Sequence, residues 1–103
     1  MRYLCLVHGT GPALSPDRAA ALGDLERRGH LVAAGALEPP AAGVLVRLRD
    51  GLVSVTDCPP GEHPVLAYFL LDARDLNEAI QLAARDPAAR YAAIEVRPLR
   101  PCL

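Results

Sequence analysis

The sequence predicts an α+β domain: a sheet carrying two helices on one face, with an additional hairpin. Three observations lead there. The hydrophobic period along the 103 residues changes from two to about 3.6 and back, twice over. Two helix-start signals, Ser15-Pro16-Asp17 and Asp75-Leu76-Asn77-Glu78, stand where those changes fall. A tight-turn dipeptide, Asp50-Gly51, separates two short strand-like runs. One core is expected, since a chain of this length does not divide into two, and residues 1–103 are read as a single domain.

The elements follow in order. Residues 2 to 7 alternate and end at Gly9, Gly11 and Pro12, a first strand. Ser15 supplies an N-cap, Pro16 the first helical position and Asp17 an early acid; Leu22, Leu25 and the alanines form an apolar face up to Gly29. His30 to Leu37 reads as a short strand, and Glu38-Pro39-Pro40 as a stiff connector. Residues 43 to 49 alternate, turn at Asp50-Gly51 and return over Leu52 to Thr56. After the loop 57 to 64, Val65 to Asp72 is a strong strand. Asp75 and Glu78 have capping-box spacing for a second helix, whose face is formed by Leu76, Ala79, Ile80 and Ala83; Asp86-Pro87 ends it, and Ala92 to Arg97 is the last strand.

That order resembles the ferredoxin-like split βαβ arrangement with an added hairpin. Ile94 and Val96 are expected beneath the helices, which turns Ala93, Glu95 and Arg97 to the opposite face beside Arg47 and Arg49. That second face mixes charge with aliphatic residues such as Leu45 and either Leu70 or Leu71. Dimerisation through it, enclosing a cleft, is the expected solution.

Composition narrows the function. Net charge is −1 and the basic residues are spread along the chain, so nucleic-acid binding is not expected. No apolar run approaches the roughly 20 residues of a membrane span. All basic residues are arginine, which excludes Schiff-base lysine chemistry and the lysine of a P-loop. Cys5, Cys58 and Cys102 are odd in number and show no paired spacing, and the start MRYLCLV lacks signal-peptide character, so a reducing cytoplasm is expected. Neither cofactor nor metal is expected, because no nucleotide motif or standard ligand spacing occurs.

The segments RYLCLVHG, GHLVAAGALEPP, VLVRLRDGLVSVTD and LLDARDLNEAIQLAARDPAARYAAIEVRPL together carry a resemblance that spans nearly the whole chain. They are similar to the YCII-related proteins, and within them to the branch named for an Asp-Gly-Pro-Phe motif. The resemblance implies a dimeric, barrel-like α+β assembly with a pocket between the sheet and the partner. It also implies a small-molecule role: some relatives look like lyases working through a His-Asp pair, whereas others accompany sigma factors. The relatives' histidine falls at Arg18 and their aspartate near Ala41 to Gly43, so that pair is missing. The motif reads Asp57-Cys58-Pro59-Pro60, matching only at Asp57 and Pro59.

Candidate chemistry therefore comes from other residues. His8 ends the first strand where the sheet opens toward its loops, and an imidazole in a partly enclosed cleft can move protons near neutral pH. Asp57 is its expected partner, in place of the family pair, with His63 as a further acid-base group. Arg18, Cys58, Tyr68, Arg90 and Tyr91 are the candidate substrate contacts, offering hydroxyls and guanidinium groups to an anionic or carbonyl compound. The expected function is small-molecule binding, or cofactor-independent isomerisation, elimination or cyclisation. The alternative is a non-catalytic accessory protein whose loop 57 to 64 meets a partner.

Overall fold

The computed structural model describes residues 1–11, 15–59, 61 and 63–101. The expectations that fall on Pro12, Pro60 and Cys102 lie outside the described residues. The chain is α+β. Strand β1 (Arg2–His8) leads to helix α1 (Pro16–Arg27) and strand β2 (Leu31–Ala36); hairpin strands β3 (Val44–Arg49) and β4 (Leu52–Asp57) come next. Strand β5 (Val65–Asp72), helix α2 (Leu76–Ala83) and strand β6 (Ala93–Pro98) complete it.

The main sheet has the order β2-β5-β1-β6, with every neighbouring pair antiparallel. Alternation along β1 divides it into two faces. Tyr3, Cys5 and Val7 are buried under the helices with Ala67, Phe69 and Leu71 of β5, Leu22 and Leu25 of α1, and Ala79 and Leu82 of α2. Leu4, Leu6 and His8 point to the other face, where Leu66, Tyr68 and Leu70 of β5 join them half-buried. Leu70 is thus the outward residue and Leu71 the core one. Burial raises the Cys5 thiol to about 12, with Asp86 reinforcing the effect, so Cys5 is a neutral core side chain.

The caps act as their sequence requires. Ser15 Oγ accepts the Arg18 N–H at 3.0 Å, and Asp75 Oδ1 accepts the Glu78 N–H at 2.8 Å. Glu78 reaches back to the Arg74 N–H at 3.0 Å, one residue ahead of the donor a strict capping box uses. The inward face of α2 is centred on Ala79, Leu82 and Ala83, while Leu76 and Ile80 sit at its margin, each 46% exposed. Ala79 and Ala83 of the expected face are thus in the core, whereas Leu82 takes the core site expected of Leu76 and Ile80. His30 sends its backbone N–H to Leu25 O at the end of α1, but its ring Nδ1 meets Asp72 O at 3.0 Å.

A buried ion pair ties the two helical segments together. Arg18 Nε donates to Asp86 Oδ2 at 2.9 Å, and the two side chains are 4% and 0% exposed. Asp86 also accepts the Ala88 N–H at 2.9 Å, which fixes the turn after α2, and the Arg18 guanidinium lies 5.9 Å from the Phe69 ring centre.

The hairpin is a separate two-stranded sheet. Asp50 and Gly51 have φ of 53° and 76°, the positive values that a type I′ turn needs at both central positions. Arg47 and Arg49 consequently do not share the main sheet's open face with Glu95 and Arg97, as the sequence led us to expect: the stiff Glu38-Pro39-Pro40 connector diverts the chain into its own sheet. Val44, Val46 and Leu48 line one hairpin face with Val53 and Val55 and are 57 to 69% exposed. With this arm, the radius of gyration is 15.5 Å, against about 13 Å for a compact domain of this length.

Removing one member of a buried pair leaves the other charge uncompensated, a loss of about 3–5 kcal/mol. Arg18→Ala and Asp86→Ala should each lower unfolding stability on that scale in urea titrations. Arg28→Ala, which removes a surface partner of Asp24, should cost less than about 1 kcal/mol. Equal effects of the buried and surface variants would remove the pair's structural role.

Candidate functional site

The site is built at the end of β1. Val7 faces Ala67 in β5 but His8 faces Val65, so one residue of β5 is passed over. Such a bulge bends the strand end and re-aims its side chain. Gly9 then takes φ of 149°, and a Cβ there would lie 3.1 Å from that of Ala92; its N–H is held by Pro64 O at 3.0 Å. The chain leaves the sheet at a fixed angle, with His8 at the rim.

The partner of His8 is on the neighbouring strand. His8 Nε2 lies 2.8 Å from Glu95 Oε1, and the two side chains are 29% and 32% exposed. Pairing of β1 with β6 sets Leu6 opposite Glu95 and His8 opposite Ala93, which makes Glu95 the diagonal neighbour on the same face. Arg97, two residues along, binds the other carboxylate oxygen. The bond from His8, then that from Arg97, holds the Glu95 carboxyl below its usual range, so it is an anion near neutral pH. An ionised carboxylate only accepts, and His8 Nε2 must therefore donate to it. In the neutral imidazole this leaves the lone pair on Nδ1.

Two clefts meet at His8. One, of about 540 Å³, runs between residues 37–43, the foot of the hairpin and the following loop; Pro39, Pro40, Cys58, Pro59 and Val65 are in its wall. The other, of about 530 Å³, is bounded by Thr10, Tyr91, Ala93 and Glu95. His8 and His63 line both. Both volumes fall within the range of small-molecule sites, roughly 300–1,000 Å³.

The sequence candidates are distributed unevenly around this point. His8, His63, Cys58 and Tyr91 border the clefts. Asp57 is exposed at the end of β4, opposite Val44, and lines neither cleft; the carboxylate at His8 is that of Glu95. The Arg18 guanidinium is engaged by Asp86 in the core. Tyr68 lies across Gly35, where an added Cβ would come 2.7 Å from its ring, and Arg90 is exposed at the end of a 3-10 turn; neither lines a cleft. Cys58 Sγ has Pro59 O at 4.0 Å. Among the described residues no group of three His, Cys, Asp or Glu side chains could hold a metal ion, and no helix is long and apolar enough to cross a membrane.

Glu95 is the residue that sequence reasoning missed as a site member. Its alternation with Ile94 and Val96 placed it on the open face, and His8 shares parity with Leu4 and Leu6, so the signal for a common face was present. What was lacking was the register between β1 and β6, which brings the two within hydrogen-bond reach. No curated protein matches the chain. The model of the YCII-related domain matches residues 1–102, and the chain belongs to the YCII-related family.

Proposed function

We propose that this protein binds a small molecule and moves a proton on it without a cofactor, with His8 as the base and Glu95 as the carboxylate that orients it. The observation that carries this reading is the 2.8 Å contact between His8 Nε2 and Glu95 Oε1 at the junction of two ligand-sized clefts. Glu95 fixes the tautomer that leaves Nδ1 basic and stabilises the imidazolium formed when Nδ1 takes a proton from carbon or oxygen. Return of that proton to a different atom is an isomerisation; departure of a neighbouring group is an elimination. His63, in the wall of both clefts, is the candidate for delivering a proton to an oxygen. The pair takes the place of the relatives' His-Asp dyad at different positions of the fold.

The strand order, with a helix after β1 and another after β5, supports a ferredoxin-like topology, and Asp57 with Pro59 supports the Asp-Gly-Pro-Phe branch. A homodimer completes the reading. Among the described residues nothing covers the half-buried open face of the sheet or the exposed aliphatic face of the hairpin, and a lone two-stranded hairpin is marginal in water. A second copy burying both would supply what each needs.

Hydrogen–deuterium exchange at the acidic carbon of simple ketones and β-dicarbonyl compounds, followed by NMR in D2O, tests the chemistry. The protein should accelerate exchange, with His8→Gln losing 10²–10⁴-fold and Glu95→Gln falling between it and the native protein. Exchange no faster than in buffer, or unchanged in His8→Gln, removes the acid-base reading. Sedimentation should give twice the chain mass, reduced to the monomer by Val46→Asp with Val55→Asp. A native monomer would instead favour the accessory reading, with a different protein on the hairpin.

A further inference from the structure

We infer that the cleft at His8 takes a mostly apolar ligand whose polar end is neutral or cationic, and that it discriminates against carboxylates and phosphates. This rests on the small-molecule reading above; of the anionic or carbonyl compounds that the sequence suggested, it keeps the carbonyl class and drops the anionic one. The first ground is where the guanidinium groups go. None of the chain's eleven basic residues, all arginine, lines either cleft. Arg18 is taken by Asp86 and Arg97 by Glu95; Arg27, Arg28 and Arg85 gather on Asp24, and Arg74 on Glu78. Among the described residues the side chains that bring a standing charge to the clefts are the carboxylates Glu38 and Glu95, which repel an anion and attract an ammonium group, whereas an imidazole such as that of His8 or His63 is charged only when protonated.

The second ground is the backbone. An anion without a guanidinium needs amide donors. Pro39, Pro40, Pro59 and Pro64 have no N–H, and the amides of Leu37, Ala42 and Gly43 already donate to Leu66, Pro39 and Pro40 carbonyls. Neither cleft includes the first turn of α1 or α2. The imidazole of His8 is already paired with Glu95. Much of the described wall of the first cleft is therefore proline rings with Leu37, Ala42 and Val65, which receive a flat aliphatic or ring-shaped body and leave its polar end to His8 and His63.

The test compares three ligands on one apolar scaffold: cyclohexanone, cyclohexylamine and cyclohexanecarboxylate, titrated at pH 7.5 into ¹⁵N-labelled protein and followed by amide shifts. The ketone and the ammonium form should shift the amides of His8, Cys58 and Val65, and bind at least tenfold more tightly than the carboxylate. Ala42→Arg, at an exposed position in the cleft wall, should reverse that ranking while leaving the spectrum otherwise native. Carboxylate binding at those amides as tight as the ketone's, or no shift with any of the three, overturns the inference. Ketone bound at these amides but not exchanging its acidic hydrogen for deuterium supports the ligand class and removes only the acid-base reading. Exchange that depends on His8 together with a preference for the carboxylate does the reverse.

Discussion

The position of β1 in the middle of the sheet is the constraint on which the rest depends. Paired on one side with β5 and on the other with β6, it sends Tyr3, Cys5 and Val7 into the core and Leu4, Leu6 and His8 to the open face. A slip of one residue would exchange those sets, burying an imidazole under the helices and exposing a tyrosine, so the apolar core fixes the register. Once it is fixed, Glu95 has to lie diagonally from His8. The contact between His8 and Glu95 is thus a by-product of the same alternation that makes the core, sharpened by the bulge after Val7 and the turn at Gly9.

The two faces are stabilised in different ways. Beneath the helices, dense apolar packing surrounds one ion pair, Arg18 with Asp86, which joins the start of α1 to the turn after α2. Such a pair holds geometry more than it adds stability, because desolvating both charges offsets most of their attraction. On the open face, aliphatic residues stand among His8, Glu95 and Arg97, and the hairpin projects with its valines and leucine in water. One of the two clefts at His8 lies at the foot of this projecting arm.

Much of this was legible in the sequence. Each strand and both helices stand within a residue or two of where alternation and the Ser15 and Asp75 caps put them, because those signals are local. Asp50-Gly51 announced its turn for the same reason: few other residues accept two positive φ values in succession. The destination of the hairpin was not legible, since alternation in residues 43 to 49 reads the same in the main sheet or apart from it. For the site, His8 was visible as a strand-end imidazole. The choice of Asp57 as its partner failed to find Glu95 because adjacency across strands depends on register, and register is set by distant core residues such as Phe69 and Leu71. Arg18 drew attention through its place in the helix, yet its buried partner Asp86 stands 68 positions away, beyond any local pattern.

The account turns on Glu95 fixing the tautomer of His8, and long-range ¹H–¹⁵N NMR of the imidazole measures that directly. At a pH where the ring is neutral, His8 should show a protonated Nε2 and an unprotonated Nδ1, and Glu95→Gln should disturb that preference while the remaining histidines keep their spectra. A proton on Nδ1 in the native protein, or a tautomer indifferent to Glu95→Gln, would contradict the pairing on which the proposed chemistry rests.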